Sequence, residues 1–400
     1  MRALPIRRRR ARTWRLVGVL AVASTVAVAC TGGDDEEAAP TTSASPTTST
    51  TIVREDDGQL VLGVYLPVTG VGSELGQPMI AAVDEAVDQI NQSGGVLGSD
   101  VTTVAVDEGT GTGPGELLAE GVDAIVGPAS SLTALSQLGP ALDPITGVVV
   151  CSPSATALAL DDYPDNTFLF RTAPSDSLLM AAVARQVQRT GAPSVAVGYL
   201  DDPYGRGLHD AFRAEIDARR IPVLTEVGFS GDEADLSELA EQLLESEPGV
   251  IVVLGDSDDG GRLIAALDEA EASSPQVIVN DAIRGALQTI QSLSPEFRER
   301  LTGVAALASG IGENPPEGFF APHAADCVNL IALSVVVAGS DAPRSFRTNM
   351  ASVSADGRTC SSFGTCSVLL EQGLNIDYDG SSGSAELANT TGDPIQARFE

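Results

Sequence analysis

Residues 60–98 read LVLGVYLPVTGVGSELGQPMIAAVDEAVDQINQSGGVLG, one strand, one loop and one long helix in immediate succession. Leu60 to Tyr65 is a short, mostly apolar run of the kind that a parallel strand covered on both faces requires, and Pro67 with Gly70 stops it. From Met79 the apolar residues Ile80, Ala81, Val83, Ala86, Val87 and Ile90 return at helical spacing, with Asp84, Glu85, Asp88 and Gln89 between them. Gly94 and Gly95 end that helix.

The same alternation continues along the chain. Strands are expected at 101–106, 124–126, 147–151, 168–171, 195–200, 222–227, 250–254, 276–280 and 303–307, with amphipathic helices at 177–189, 205–219, 235–245 and 261–271 between them. Regular β-α alternation builds doubly wound parallel sheets, whose ligands bind at the carboxyl ends of the strands. The part that can fold, about 340 residues, exceeds what one hydrophobic core normally serves, so two lobes are expected. The apolar run from Cys327 to Gly339 is too short to span a membrane and reads as a buried helix.

The start of the chain is of a different kind. Arg7 to Arg10, Arg12 and Arg15 precede an apolar run from Leu16 to Ala29, which reads as a secretory signal over residues 1–29. Cys30, behind the small residues Ala27, Val28 and Ala29, resembles the acylated cysteine of a bacterial lipobox, although Ala27 stands where leucine is usual. Two acyl chains suffice for stable anchoring, and the Thr-, Ser-, Pro- and acid-rich stretch that follows, to residue 57, has too few large apolar residues to pack and is expected to be a flexible tether.

All 23 basic residues are arginine, seven of them before Cys30, whereas all 55 acids follow it. Beyond Cys30, 16 arginines against 55 acids leave a formal charge of −39, which excludes nucleic acid and anionic membrane surfaces as electrostatic partners. Without a single lysine there is no P-loop lysine, Schiff base or Ser-Lys dyad. GTGTGPG at 109–115 is a loop rather than a dinucleotide fingerprint, and His209 and His323 accompany no metal-ligand spacing. No cofactor and no enzymatic activity are implied.

The opening segment resembles that of the type I periplasmic binding proteins, specifically the branched-chain amino-acid receptors of ABC importers. Pro67, Thr69, Gly70, Gly76, Ile90, Asn91, Gly94, Gly95, Val96 and Gly98 carry the match. GPASSLTALS at 127–136, CSPSATALAL at 151–160 and YLDDPYGRGLHDAF at 199–212 extend it. The resemblance implies two doubly wound lobes joined by a three-strand hinge, with 58–170 and 309–368 in lobe 1 and 171–308 and 369–400 in lobe 2. It further implies an exported receptor, lipid-anchored to the outer face of the cytoplasmic membrane, that closes on an amino acid or similar small polar ligand and delivers it to an ABC permease. A sensor feeding a signalling partner is the alternative.

The site residues follow from chemistry and from that resemblance together. Ser130 and Ser131 lie between a strand and a helix, where hydroxyls and first-turn N–H groups suit a carboxylate, or simply cap the helix. By the resemblance, Ser130 and Thr156 would hold a ligand carboxylate, the Ser154 carbonyl and Thr156 hydroxyl would meet the amino group, Tyr204 would close from the other lobe, and Asp281 would pair with the ammonium. Leu75 and Asp256 stand where relatives often place aromatics, which suggests a more polar ligand than leucine; Asp176 is a further candidate contact. Four cysteines remain after Cys30, an even number in an exported chain. Cys360 and Cys366 flank a short loop and are expected to pair, leaving Cys151 and Cys327 as a second bridge or as two buried thiols.

Overall fold

The computed structural model describes residues 53–70, 72–270, 275–306 and 316–400. The signal, Cys30 and most of the tether lie outside them. The end of the expected tether is already docked, with the Arg54 guanidinium on the Leu118 carbonyl and the Asp57 N–H on Asp341 Oδ1 (3.1 Å).

A first parallel sheet contains β1 (Val61–Leu66), β2 (Thr102–Asp107), β3 (Ala124–Val126), β4 (Val149–Ser152) and β5 (Leu169–Arg171) in the order β2-β1-β3-β4-β5. A second contains β6 (Val195–Leu200), β7 (Val223–Phe229), β8 (Val250–Leu254), β9 (Gln276–Val279) and β10 (Leu301–Gly303) in the order β10-β9-β8-β6-β7. The two orders are the same when each is counted from its own first strand. In both, the chain reverses beside that first strand, and the loops at this switch point open outward at the carboxyl edge. A third, small sheet joins β11 (Arg358–Cys360) to β12 (Ile376–Gly380) in parallel and β12 to β13 (Gly383–Ser384) antiparallel.

Helices α1 (Ser73–Gln92), α2 (Gly115–Glu120) and α3 (Ser131–Gln137) accompany the first sheet. The second has α4 (Asp176–Thr190), α5 (Pro203–Ala218), α6 (Ser237–Glu245), α7 (Ser257–Glu269) and the short α8 (Leu287–Ser292) and α9 (Pro295–Arg298). The chain then returns with α10 (Ala321–Ala338), α11 (Pro343–Phe346) and α12 (Phe363–Glu371). Helix α1 begins at Ser73, earlier than its apolar period suggested, and accommodates Pro78 near its start. Gly76 explains the close fit: a Cβ there would lie 1.8 Å from the Pro67 carbonyl oxygen. Gly205 plays the same part in the second lobe, where a Cβ would come within 2.1 Å of the Leu200 oxygen. Each glycine lets a helix start tight against the strand that feeds it.

Burial is organised by lobe. Leu62, Val64, Val83, Ile90, Ile125 and Val150 share one core with α10, whose residues from Ala321 to Val328 and Leu330 to Val335 are all buried. Helix α10 is long and apolar enough to cross a membrane, yet it is the central core helix of this lobe. Its buried Asp326 accepts bonds from Tyr378 Oη (2.8 Å), the N–H groups of Ser381 (2.9 Å) and Ser382 (2.8 Å), and Ser382 Oγ (2.6 Å). The second sheet is covered on its two faces by separate clusters around Leu243, Leu263 and Phe297, and around Val183, Leu208 and Phe212.

The chain passes between the lobes three times. It leaves β5 through Thr172 to Ser175 into α4, leaves β10 through Val304 to Ala306, and returns at its end, where Ala305 and Glu400 exchange backbone bonds of 3.1 and 2.9 Å. The sequence placed the last return near residue 369. In the structure Ile376, Tyr378, Ala385 and Leu387 are buried in the first lobe's core, so the chain stays there for many residues longer. The apolar groups and the Asp326 contacts hold it.

The structure joins Cys360 to Cys366 and Cys151, in β4, to Cys327, in α10. Loop closure makes the two bridges unequal, because they span 6 and 176 residues. Removing the longer by Cys151→Ala with Cys327→Ala should lower unfolding free energy by up to about 5 kcal/mol, against about 2 kcal/mol for the shorter pair. Urea unfolding of the two double variants checks this; equal losses would contradict it.

Candidate functional site

The loops at the first switch point hold one another. Ser130 N-caps α3, its Oγ accepting the Thr133 N–H at 3.3 Å. Ser131 Oγ accepts the Ala157 N–H (3.1 Å), and Ser154 Oγ donates to the Ala129 carbonyl (2.9 Å). Beneath them Ser152 Oγ donates to the Pro128 carbonyl at 2.6 Å. The loop after β3 is thereby laced to the loop after β4.

Glu108, which the sequence reading did not single out, completes the lacing. It is buried, and its Oε2 and Oε1 accept the N–H groups of Ala129 (2.8 Å) and Ser130 (3.0 Å). Burial pushes its carboxyl above the ordinary range, and those amides pull it back in part. A cavity of about 370 Å³ opens here, lined by Pro67, Leu75, Glu108, Ser130, Leu132 and Ser154 among others. Its wall is mostly apolar, with Glu108 as the one ionisable group among its lining residues.

The second-lobe residues come from three strand ends. Asp202 caps α5 through the Gly205 N–H (2.7 Å) and so sets Tyr204 in the first turn. The fully buried Asn280 receives the Gly255 N–H on Oδ1 and donates Nδ2 to the Gly255 carbonyl, both at 3.0 Å, and to Tyr204 Oη at 3.3 Å. One amide side chain therefore fixes the loops after β8 and β9 and the tyrosine. Asp256 caps α7 through the Asp259 N–H (2.8 Å). Asp281 opens the turn after β9, and burial pushes its carboxyl up to about 6 against the pull of the Ala282 N–H and Asn280.

Asp176, the first residue of α4, sits just past the crossing. It is 2 % exposed, its N–H donates to the Thr156 carbonyl (2.9 Å), and its Oδ2 has no partner. Burial first, and then the charge of Asp281, hold its carboxyl well above the usual range. Tyr204 is raised in the same way, by burial and then by Asp176, Asp281, Asp256 and Asp202. Thr156, Asp176, Tyr204 and Asp281 are thus brought together. Ser130 and Ser154 line the first-lobe cavity, and Ser131 serves the loop packing.

Arg171, the last residue of β5, ties this arrangement to the crossing. It is fully buried; Nε meets Asp393 at 2.6 Å, Nη2 meets Asp161 at 2.7 Å, and Nη1 donates to the carbonyls of Ala155 (3.4 Å) and Ala157 (3.3 Å). Those carbonyls flank Thr156. The guanidinium stays charged because its two carboxylates outweigh the cost of burial.

Residues 59–357 match the family model described as periplasmic binding protein. The chain is 26 % identical to the chemotactic signal transduction system substrate-binding protein BasB of Halobacterium salinarum, over 82 % of this chain and 83 % of that one. It is likewise 26 % identical to the Leu/Ile/Val-binding protein BraC3 of Rhizobium johnstonii, over 70 % and 80 %. Among solved structures, the branched-chain amino acid transporter substrate-binding protein LivJ of Streptococcus pneumoniae, in complex with isoleucine, has the same fold. Its TM-score is 0.63 at 18 % identity, covering 85 % of this chain and 95 % of that one. An ABC transporter substrate-binding protein of Desulfitobacterium hafniense gives 0.66 at 20 % identity, covering 86 % and 99 %.

Deleting one partner of a buried ion pair strands the other charge, which costs about 3–5 kcal/mol. Asp393→Ala leaves Arg171 with Asp161 alone, so a loss of about 3 kcal/mol is expected in urea unfolding. A change below about 0.5 kcal/mol, as at an ordinary surface position, would show that Asp393 is not part of the lock.

Proposed function

The chain belongs to the periplasmic binding protein family, whose relatives and fold neighbours here are solute-binding proteins rather than enzymes, and on that premise we propose that it captures a small ligand bearing an ammonium group. The observation that carries this reading is the meeting of Asp176, Asp281, Tyr204 and Thr156, with an unpartnered carboxylate oxygen among them. A buried carboxylate without a partner is costly, and a cation with N–H donors removes the cost. An amino acid, an amide or an amine fits that description. Contacts from both lobes favour the closed form, and hinge closure is the working motion.

Delivery to an ABC permease is the first use of such a receptor, as the names of LivJ and the Desulfitobacterium protein say of those proteins. Presentation to a signalling partner is the second, favoured by the similarity to BasB, a chemotactic component by its name. Cys30, outside the described residues, would anchor the receptor through lipid.

A thermal-shift screen of amino acids, amides and amines tests the binding reading; folded protein stabilised by none of them would end it. For a ligand so found, Thr156→Ala and Asp281→Ala should each weaken binding by about 1.5–3 kcal/mol, the range for a hydrogen bond to a charged group. Unchanged affinity in both variants would move the site elsewhere.

The pH dependence has a definite sign. A carboxyl raised to about 6 is still protonated in the free protein below that pH, so a bound cation must first expel the proton. Affinity should therefore rise with pH up to about 6, by as much as about tenfold per unit for one linked proton. Asp176, raised by the same burial, adds a second linked proton. Calorimetry at pH 5, 6 and 7 on wild type and Asp281→Asn measures it, and an identical slope in the two would exclude Asp281.

Anchoring has its own test. Cys30→Ala should shift folded, ligand-competent protein from the membrane to the soluble fraction or leave the signal uncleaved. Wild-type protein found wholly soluble with an unmodified N-terminus would exclude the lipid.

A further inference from the structure

The wall that the resemblance assigns to a ligand carboxylate already carries a carboxylate of the protein's own. The N–H groups of Ala129 and Ser130 both point at Glu108, which is only 6 % exposed and lines the first-lobe cavity. Ser130 Oγ caps Thr133, Ser131 Oγ receives the Ala157 N–H and Ser154 Oγ is donated to Ala129. A carboxylate brought to this wall would lie beside the protein's own carboxylate and find the amides of Ala129 and Ser130 taken.

Among the described residues, the basic side chains near the site already have partners or are neutral. Arg171 is spent on Asp161 and Asp393, and Arg284, beside Asp281, pairs with Glu400 at 2.9 Å and lies over the Phe319 ring. His323 is buried, and desolvation pushes it down to about 4, so it is neutral at pH 7. The chain contains no lysine, and residues 307–315, between the second crossing and α10, contain no arginine or histidine.

On the other side the carboxylates outnumber the one arginine, Arg284, which Glu400 already holds. Asp176 is 2 % exposed with an unpartnered Oδ2, its carboxyl facing Thr156, Asp281 and Tyr204, and Asp256 and Asp202 bear on the same tyrosine. We propose that the ligand is an aliphatic amine or guanidine cation carrying no carboxylate, with Glu108 as the residue that rejects the corresponding amino acid and Asp176 as the residue that receives the cation. This rests on the solute-binding reading and narrows its ligand class. Glu108 acts in two ways: it fills the amide pair, and it adds a negative charge where a ligand carboxylate would lie.

Matched pairs that differ only in the carboxylate isolate the effect. Calorimetry at pH 7.5 on the disulfide-intact protein would compare agmatine with arginine, cadaverine with lysine, and isoamylamine with leucine. At least one amine is expected to bind tenfold or more tightly than its amino acid. Glu108→Ala, which frees the two amides, should narrow that ratio at least fivefold, and Glu108→Gln, which keeps the volume and removes the charge, should narrow it as well. Asp176→Asn should weaken the amine tenfold or more. An amino acid bound as tightly as its amine, or a ratio unchanged in both folded Glu108 variants, overturns the proposal and leaves the receptor reading standing. Silence from all six compounds also overturns it, whereas the receptor reading falls only if the broad screen finds no ligand at all.

Discussion

A buried guanidinium organises the centre of this molecule. Arg171 stands where the chain leaves the first sheet, and its contacts reach a loop 10 residues upstream and an aspartate 222 residues downstream. Taking a charge out of water is expensive, so the site exists only because Asp161, Asp393 and two carbonyls answer it together. Three segments are thereby held in one place: the loop that carries Thr156, the first crossing, and the C-terminal stretch. The Asp176 N–H bonds the Thr156 carbonyl just beyond, so a group at the start of the second lobe's first helix is registered against a group of the first.

The two lobes solve the same problem with different chemistry. Each has a parallel sheet with one switch point, and each must fix the irregular loops there without a regular ladder. In the first lobe, hydroxyls and Glu108 do so; in the second, the buried amide of Asn280 spans two loops and a tyrosine. Both devices satisfy polar groups that water cannot reach. Acids dominate the result. In a chain so short of cations, the few arginines near the site are consumed by structure, and the field left for a solute is negative.

The proposed hinge motion has a material basis in this arrangement. The three crossings are short, and two of them meet at the exchange of bonds between Ala305 and Glu400, while Thr172 Oγ1 donates to the His323 carbonyl at 2.9 Å. The lobes themselves are cross-braced by apolar cores and, in the first, by the Cys151–Cys327 bridge. Rigid bodies on short connections move by rotation about those connections, which is how a ligand held by both sides would stabilise one state.

Local pattern alone determined most of the architecture. The apolar runs and helical periods placed β1 to β9 and α4 to α7 close to where they are, because the central strands are buried on both faces and each of these helices on one. The motif glycines Gly76 and Gly205, the pairing of neighbouring Cys360 and Cys366, and the position of Tyr204, Asp176 and Asp281 at element ends were equally legible. Strands β11 and β13, three and two residues long, carry no period to read. Only the tertiary structure decided that the chain stays in the first lobe past residue 369, that Glu108 occupies the amides of Ala129 and Ser130, that Asn280 holds Tyr204, and that Arg171 belongs to Asp393. Periodicity reports what a segment buries. Which buried donor meets which acceptor depends on where distant loops converge, and that is set by packing and by the cost of leaving either group alone.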